Sequence, residues 1–394
     1  MVSRRGETRP DHDPLAVAAT LGISWSEAQQ RVLTRIAAYV AQETPSGHPE
    51  LLNPLAGMIA ADLHAAGATV TSHDAPGLGA NLVAELPGRE QEPPVLLLAH
   101  IDTVHPVGAF GSGPLRLENG SAIGPGVYDM KGGVALLVEA ITRFAEQERL
   151  PRRPVRFVVT CDEEIGSHSS RALIEESARR AGAVLVPEPC MPDGGVKTGR
   201  KGVATYRLEV GGIAAHAGVD PGVGASATHE LARQMLDVFA LADHERGTTV
   251  NVGMIGAGSA TNVIPGHAWA AIDVRLADPA EGDRVNDALS RLRAYDGRTT
   301  VHVTRTEFRP PLVRTPAVVA LYHHARELAA QLGFALGEGS TGGGSDGSIA
   351  AAAGAAVLDG LGPRGGGAHT LHEHILVDDL PLRMALVHQL LDTL

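Results

Sequence analysis

Apolar residues recur at helical spacing through Leu21–Gln42, with Ser24 or Ser26 as candidate N-caps, and again through Asn53–Ala66, which Gly67 stops. Both stretches predict amphipathic helices. Residues 1–13 ahead of them are polar and are expected to be mobile. Thr69–His73 and Asn81–Leu86 read as strands. The pattern then changes. Pro94–Ala99, Pro154–Thr160 and Ala183–Val186 are short, continuous apolar runs, as strands buried on both faces of a parallel sheet require. Apolar helical stretches at Val134–Phe144 and Ala172–Ala181 alternate with them. Each of the three runs ends in polar residues: His100 and Asp102, Glu163 and Glu164, and Glu188. Open α/β sheets carry their sites at those carboxyl ends, so an α/β fold with a site there is expected.

A second texture begins near Gly199. Gly202–Val210 and Ala268–Leu276 alternate like half-exposed strands, Thr249–Ile255 and Thr299–Thr306 add two more, and Ala225–Leu241 and Pro279–Tyr295 read as helices. Four strands and two helices over roughly a hundred residues predict an inserted α+β domain with one sheet face exposed. The expected organisation is one discontinuous domain, 1–198 and 309–394, interrupted by a second at 199–308. After Pro310-Pro311 the first pattern resumes, with a helix at Ala317–Leu332, a glycine turn at Gly342–Gly347, a strand at Ala355–Leu358 and a closing helix at Asp378–Leu394.

Charge narrows the partners. Lys and Arg number 33 against 45 Asp and Glu, a net charge of −12, which argues against nucleic acid or an anionic membrane surface. No apolar run approaches the roughly 20 residues that span a bilayer. The N-terminus has no apolar stretch of the signal-peptide kind, and two cysteines do not make a disulfide framework. A reduced, cytoplasmic setting is therefore expected. Cys161 and Cys190 read as buried structural residues.

Several residues could carry chemistry. His100 and Asp102 stand two apart at a strand end and point the same way. That spacing suits a metal-bound imidazole with its orienting acid, and equally a plain hydrogen-bonded pair. Asp129 lies within GPGVYDMKGG, either as a turn acid or as a carboxylate giving one oxygen to each of two metal ions. Glycines on both sides would let the backbone pass close to such a centre. Glu163 and Glu164 diverge at their strand end, so one can bind metal while the other faces a water. Glu188 sits between two prolines. His369, His372 and His374 crowd into GGGAHTLHEHI, as ligands or as a chance cluster in a chain with 18 histidines. In the inserted segment, His216 lies in a small-residue loop, Asn262 precedes a strand and Arg275 lies within it.

HIDTV, GPGVYDMKGG, TCDEEIGS, VPEP, GGIAAHAG, TNVIPGHAWAAIDVR, GGGSDGS and GAHTLHE occur in the order and spacing of the dinuclear zinc aminoacylase/carboxypeptidase family. That family includes glutamate carboxypeptidase, acetylornithine deacetylase, succinyl-diaminopimelate desuccinylase, aminoacylase-1 and peptidase T. The chain resembles it from about residue 30 to its end, and the glutamate carboxypeptidase branch most. Each motif is weak singly; eight in register are strong.

The resemblance implies a zinc-peptidase-like α/β catalytic domain with an inserted lid or dimerisation domain. It implies that His100 and Glu188 bind one zinc, Glu164 and His369 the other, and that Asp129 bridges them, followed by a cis peptide bond. Asp102 would orient His100 and Glu163 would be the general base. His369 is preferred to His372 and His374 because it follows a small-residue loop and precedes Glu373. His216 would reach the partner subunit's active site and stabilise the oxyanion. Asn262 and Arg275 would hold the substrate carboxylate, with Gly344 in a loop beside it. The cofactors implied are two Zn2+ per chain, with Co2+ or Mn2+ as substitutes, and the assembly implied is a homodimer through the inserted domain.

The reaction implied is metal-dependent hydrolysis of an amide next to a free carboxylate, on a small carboxylate-bearing amide or peptide. An N-acyl-amino-acid deacylase or a dipeptidase on the same scaffold is the alternative. A non-catalytic relative that binds an amino acid or peptide is an alternative of another class. It would be marked by loss of Glu163 or of a ligand, and all are present.

Overall fold

The strand Val95–His100 is buried at every position, which its unbroken apolar run requires. It lies fourth in a six-stranded sheet ordered Thr69–Ala75, Gly79–Leu86, Val155–Thr160, Val95–His100, Ala183–Leu185 and Val357–Leu358. The last four run parallel. The first two form an antiparallel hairpin that pairs antiparallel with Val155–Thr160. Helices Gly132–Glu146 and Arg171–Arg180 pack against Val95–His100. This computed structural model describes residues 13–394. By their internal contacts they form two units, one ending at Thr198 and resuming at Arg314–Ser340 and Ser345–Leu394, the other Gly199–Val313 with Thr341–Gly344.

The α/β reading holds, with local corrections in the first unit. The helix read over Leu21–Gln42 is preceded by one that was not expected, so that Pro14–Leu21 comes first and Trp25–Val40 second. Gly22 takes a left-handed φ of 66° and ends the first, while Ser24 Oγ accepts from Glu27 N–H at 3.2 Å and starts the second. Asp13 caps the first helix, and the expectation of mobility for residues 1–12 lies outside the described residues. The glycine turn at Gly342–Gly347 gives way to a short helix, Asp346–Ala352, capped by Ser345. Among the described residues, no helix is long and apolar enough to cross a membrane.

The second unit is an antiparallel sheet ordered Thr249–Ala257, His267–Leu276, Gly202–Gly211 and Thr300–Arg309. His267–Leu276 alternates buried and half-buried positions, so period-two patterning survives intact. Its inward residues, Ala270, Ile272 and Val274, share a core with Leu231 and Val238 of helix Ala227–Phe239 and with Val285 and Leu289 of helix Pro279–Ser290. The latter helix stops five residues before the predicted Tyr295, because the chain beyond it is held elsewhere. Buried Glu230 accepts from the N–H groups of Tyr295 and Asp296, from Thr299 Oγ1 at 3.2 Å and from Gln234 Nε2 at 2.7 Å. Burial alone would raise its carboxyl; the four donors outweigh it and hold it below the ordinary glutamate range. Replacing Glu230 with Ala leaves these donors without an acceptor and should cost this unit about 2–3 kcal/mol in denaturant unfolding at pH 7. A carboxylate held low stabilises above its ordinary pKa and loses that contribution as acid protonates the folded state, so the deficit should shrink in acid. An unchanged midpoint at pH 7 would contradict this role.

Candidate metal centre

Parallel neighbours bring their carboxyl ends to one side of a sheet. Val155–Thr160, Val95–His100 and Ala183–Leu185 are adjacent and parallel, so Glu163 and Glu164, His100 and Asp102, and Glu188 all emerge there. His100 is buried. Its Nδ1 lies 3.0 Å from the backbone carbonyl of Asp102 and 3.5 Å from Asp102 Oδ1. With Nδ1 turned to the carbonyl, Nε2 faces the open side, 3.2 Å from Asp129 Oδ1 and 3.6 Å from Glu188 Oε1. Asp102 does more than face His100. Its Oδ1 accepts from Glu163 N–H at 3.0 Å, and its Oδ2 accepts from Glu164 N–H at 3.1 Å and from Ser46 Oγ at 2.7 Å.

Asp129 reaches the same point from the glycine-flanked turn before helix Gly132–Glu146, and the Asp129–Met130 peptide is cis. Gly126 has a φ of 68°, and a Cβ there would lie 2.5 Å from Thr103 Cγ2. A Cβ on Gly133 would lie 2.0 Å from the carbonyl oxygen of Pro187. The glycines therefore provide clearance, Gly126 for the Thr103 side chain and Gly133 for the backbone of the residue before Glu188. Asp129 Oδ2 lies 3.3 Å from His369 Nε2, and that nitrogen lies 3.3 Å from Glu164 Oε2. The two oxygens of Asp129 thus face two groups, His100 with Glu188 and His369 with Glu164. His374 turns its Nδ1 instead to the carbonyl of His372, at 2.9 Å.

The electrostatics are lopsided. Burial alone would push His100 down, but Asp102, Asp129 and Glu188 outweigh it and hold it well above the ordinary histidine range. Asp129 and Glu164 raise His369 to about 10. Burial raises the Glu164 carboxyl, and its Oε1 is buried with no hydrogen-bond partner. Candidate ligand atoms of His100, Asp129 and Glu164 lie within 4.8 Å of one another. Imidazole nitrogens and carboxylate oxygens, with an excess of anions and an orphaned carboxylate oxygen, fit a divalent cation of the zinc type. Cys161 and Cys190 are buried free thiols, and burial pushes Cys161 up to about 12, so it stays protonated.

The remaining predicted residues belong to the second unit. His216 is exposed, and its Nδ1 accepts from the N–H groups of Gly218 and Val219, each at 3.1 Å. That places the proton of the neutral ring on Nε2. His216 pairs with Val263 across a two-residue ladder, and Ala217 N–H donates to the carbonyl of Asn262. Arg275 forks onto Asp273, Nε to Oδ1 and Nη2 to Oδ2 both at 2.9 Å, and its Nη1 lies 3.3 Å from the carbonyl of Gly342. One edge of the guanidinium is therefore already engaged. The Gly344 carbonyl accepts from Arg200 Nη1 at 2.7 Å.

Two residues without an assigned role prove central to the first unit. Glu373 and His105 are both buried and meet at 2.5 Å, Oε2 to Nε2. Neither has a sequence neighbour that announces the contact. The one available signal was the placement of Glu373 four residues after His369.

The family model described as peptidase family M20/M25/M40 matches residues 96–393. Carboxypeptidase G2 from a Pseudomonas species is 31% identical over 374 residues, covering 93% of this chain and 90% of that protein. A succinyl-diaminopimelate desuccinylase from Gluconacetobacter diazotrophicus is 32% identical over 279 residues, 64% of this chain and 71% of that one. Aminopeptidase PepT from Bacillus cereus shares the fold with a TM-score of 0.75 at 23% identity, over 92% of this chain and 98% of that one. The metallo-carboxypeptidase Sso-CP2 from Sulfolobus solfataricus does so with a TM-score of 0.72 at 19% identity, over the same shares. By the family match and the length of the carboxypeptidase G2 alignment, the chain belongs to peptidase family M20/M25/M40 and is a metallopeptidase or amidohydrolase of that family.

Proposed function

We propose that this chain hydrolyses an amide bond beside a free carboxylate, as a carboxypeptidase of the glutamate carboxypeptidase type, with two Zn2+ per chain. Co2+ or Mn2+ would serve as substitutes. The observation that carries the reading is the carboxylate of Asp129, which turns one oxygen toward His100 and Glu188 and the other toward His369 and Glu164. His100 and Glu188 would hold one ion, Glu164 and His369 the other, and Asp129 both. Bound there, the ions supply Lewis acidity toward the scissile carbonyl and the attacking water.

The chain's own groups do the rest. Glu163 takes a proton from the attacking water and returns it to the leaving amine. Its backbone N–H and that of Glu164 are fixed by one carboxylate, Asp102, so base and ligand stay in register. His216, with its proton on Nε2, is in the tautomer that can donate to a tetrahedral oxyanion, a contact typically worth about 2.7–4 kcal/mol. Arg275, with Asn262 and the Gly344 loop, takes the substrate carboxylate. Since Asp273 occupies one edge of the guanidinium, the substrate meets the remaining edge. A homodimer through the inserted unit is part of this reading, with His216 serving the partner's site.

The similarity to a succinyl-diaminopimelate desuccinylase favours one second reading, removal of an acyl group from an amino acid on the same machinery. Dipeptidase activity differs from it only in the acyl half. Turnover of a panel of N-acyl amino acids, dipeptides and pteroyl-glutamate-like amides separates these activities. Absence of hydrolysis across the panel by the zinc-loaded protein would sink the proposal.

Two substitutions test the assigned roles. Glu163→Gln should retain its bound ions while losing about 10²-fold or more in turnover, because the base contributes on that order; near-native kcat with full metal content would remove Glu163 from the role. Arg275→Ala should raise KM for carboxylate substrates at least tenfold, with a smaller change in kcat, as expected when a charge-assisted bidentate contact is lost. An unchanged KM would refute the clamp.

A further inference from the structure

The turn that carries Asp129 departs from regular helix, with φ and ψ of −120° and 92° at Asp129 and −133° and 31° at Met130. Val127 and Lys131 donate within the turn, to the carbonyls of Gly124 and Gly126, but other N–H groups need acceptors from outside it. One side chain supplies three of them. Glu373 is fully buried. Its Oε1 accepts from the N–H groups of Tyr128 and Asp129, each at 2.9 Å. Its Oε2 accepts from Gly126 N–H at 3.1 Å and lies 2.5 Å from His105 Nε2. Its backbone carbonyl accepts from Gly124 N–H at 3.2 Å.

Glu373 also closes the turn that directly follows the one presenting His369. Thr370 N–H donates to the Gly367 carbonyl and Glu373 N–H to the Thr370 carbonyl, which closes the chain just beyond His369. The two turns that Glu373 joins present side chains that meet 3.3 Å apart, His369 Nε2 and Asp129 Oδ2. A change in the Asp129 backbone would move Oδ1 away from His100 and Oδ2 away from His369 together.

We infer that Glu373, pinned by His105, is a positioning residue for the carboxylate of Asp129, setting how that carboxylate is shared between two cations. The inference rests on the proposal that Asp129 bridges two ions. A neutral acceptor could satisfy some of the turn's N–H groups, but only a carboxylate offers acceptor capacity on both oxygens to Gly126, Tyr128, Asp129 and His105 together. In Glu373→Gln the amide nitrogen is a donor and must face either the turn or His105, so part of the cradle is lost at almost constant volume.

The test is zinc affinity, measured by competition with a chromophoric chelator, together with the visible spectrum of the Co2+-loaded protein, on wild type and Glu373→Gln. The metal-free variant should keep its far-UV circular dichroism, bind zinc ten- to a hundredfold more weakly, and show an altered Co2+ spectrum, as for other partners that orient metal ligands. A variant that only melts lower, with wild-type zinc affinity and Co2+ spectrum, overturns the inference and leaves the proposed function standing. A wild-type protein that takes up no zinc overturns both. Should Glu373→Gln not fold, His105→Asn decides, since it unpins Oε2 and leaves the carboxylate in place. A several-fold loss of zinc affinity supports the positioning role, and wild-type affinity overturns it.

Discussion

Negative charge gathered in one mostly buried place is the constraint on which the rest of the first unit depends. Asp102, Asp129, Glu163, Glu164 and Glu188 converge around two imidazoles at the carboxyl ends of three parallel strands and the turn beside them. Asp102 is quieted by hydrogen bonds from two backbone N–H groups and a serine hydroxyl. Asp129, Glu164 and Glu188 instead point at the space between His100 and His369. Carboxylates withdrawn from water repel one another unless protons or cations intervene. The imidazoles respond by holding their protons, His100 well above its ordinary range and His369 to about 10. Divalent cations would displace those protons and relieve the same excess.

Backbone amides form the next layer. Asp102 joins the end of the Val95–His100 strand to the Glu163–Glu164 turn, and Glu373 joins the Asp129 turn to the His369 turn. In each case one buried carboxylate accepts from main-chain N–H groups at or beside residues that face the centre. Ligand geometry is thereby tied to main-chain geometry, which packing holds far more firmly than a lone rotamer.

What the chain disclosed in advance followed from the range of each interaction. Pro94–Ala99 and Pro154–Thr160 were legible as central strands because burial on both faces leaves an uninterrupted apolar run, and the observed Val95–His100 and Val155–Thr160 differ from them by a residue. The alternation of His267–Leu276 was equally plain. Pro14–Leu21 was hidden as a helix because eight residues carry little periodicity, while Trp25–Val40 fell within the longer apolar run. Asp346–Ala352 was hidden by its glycine and serine content. At the centre, parallel strand ends pointed to His100, the Glu163–Glu164 pair and Glu188, while the choice of Glu164 over Glu163, and of His369 over His372 and His374, needed the family resemblance. The cradle of Glu373 and the pairing of Arg275 with Asp273 left no trace in any pattern. A carboxylate that hydrogen-bonds main chain more than 240 positions away looks like any other acid.

The central claim is that Asp129 divides its carboxylate between two ions. Anomalous diffraction at the zinc edge from zinc-loaded crystals measures this most directly. The account predicts two peaks about 3.5–4 Å apart, one beside His100 and Glu188 and one beside His369 and Glu164, with Asp129 between them. A single peak, or two peaks that Asp129 does not touch, would contradict it.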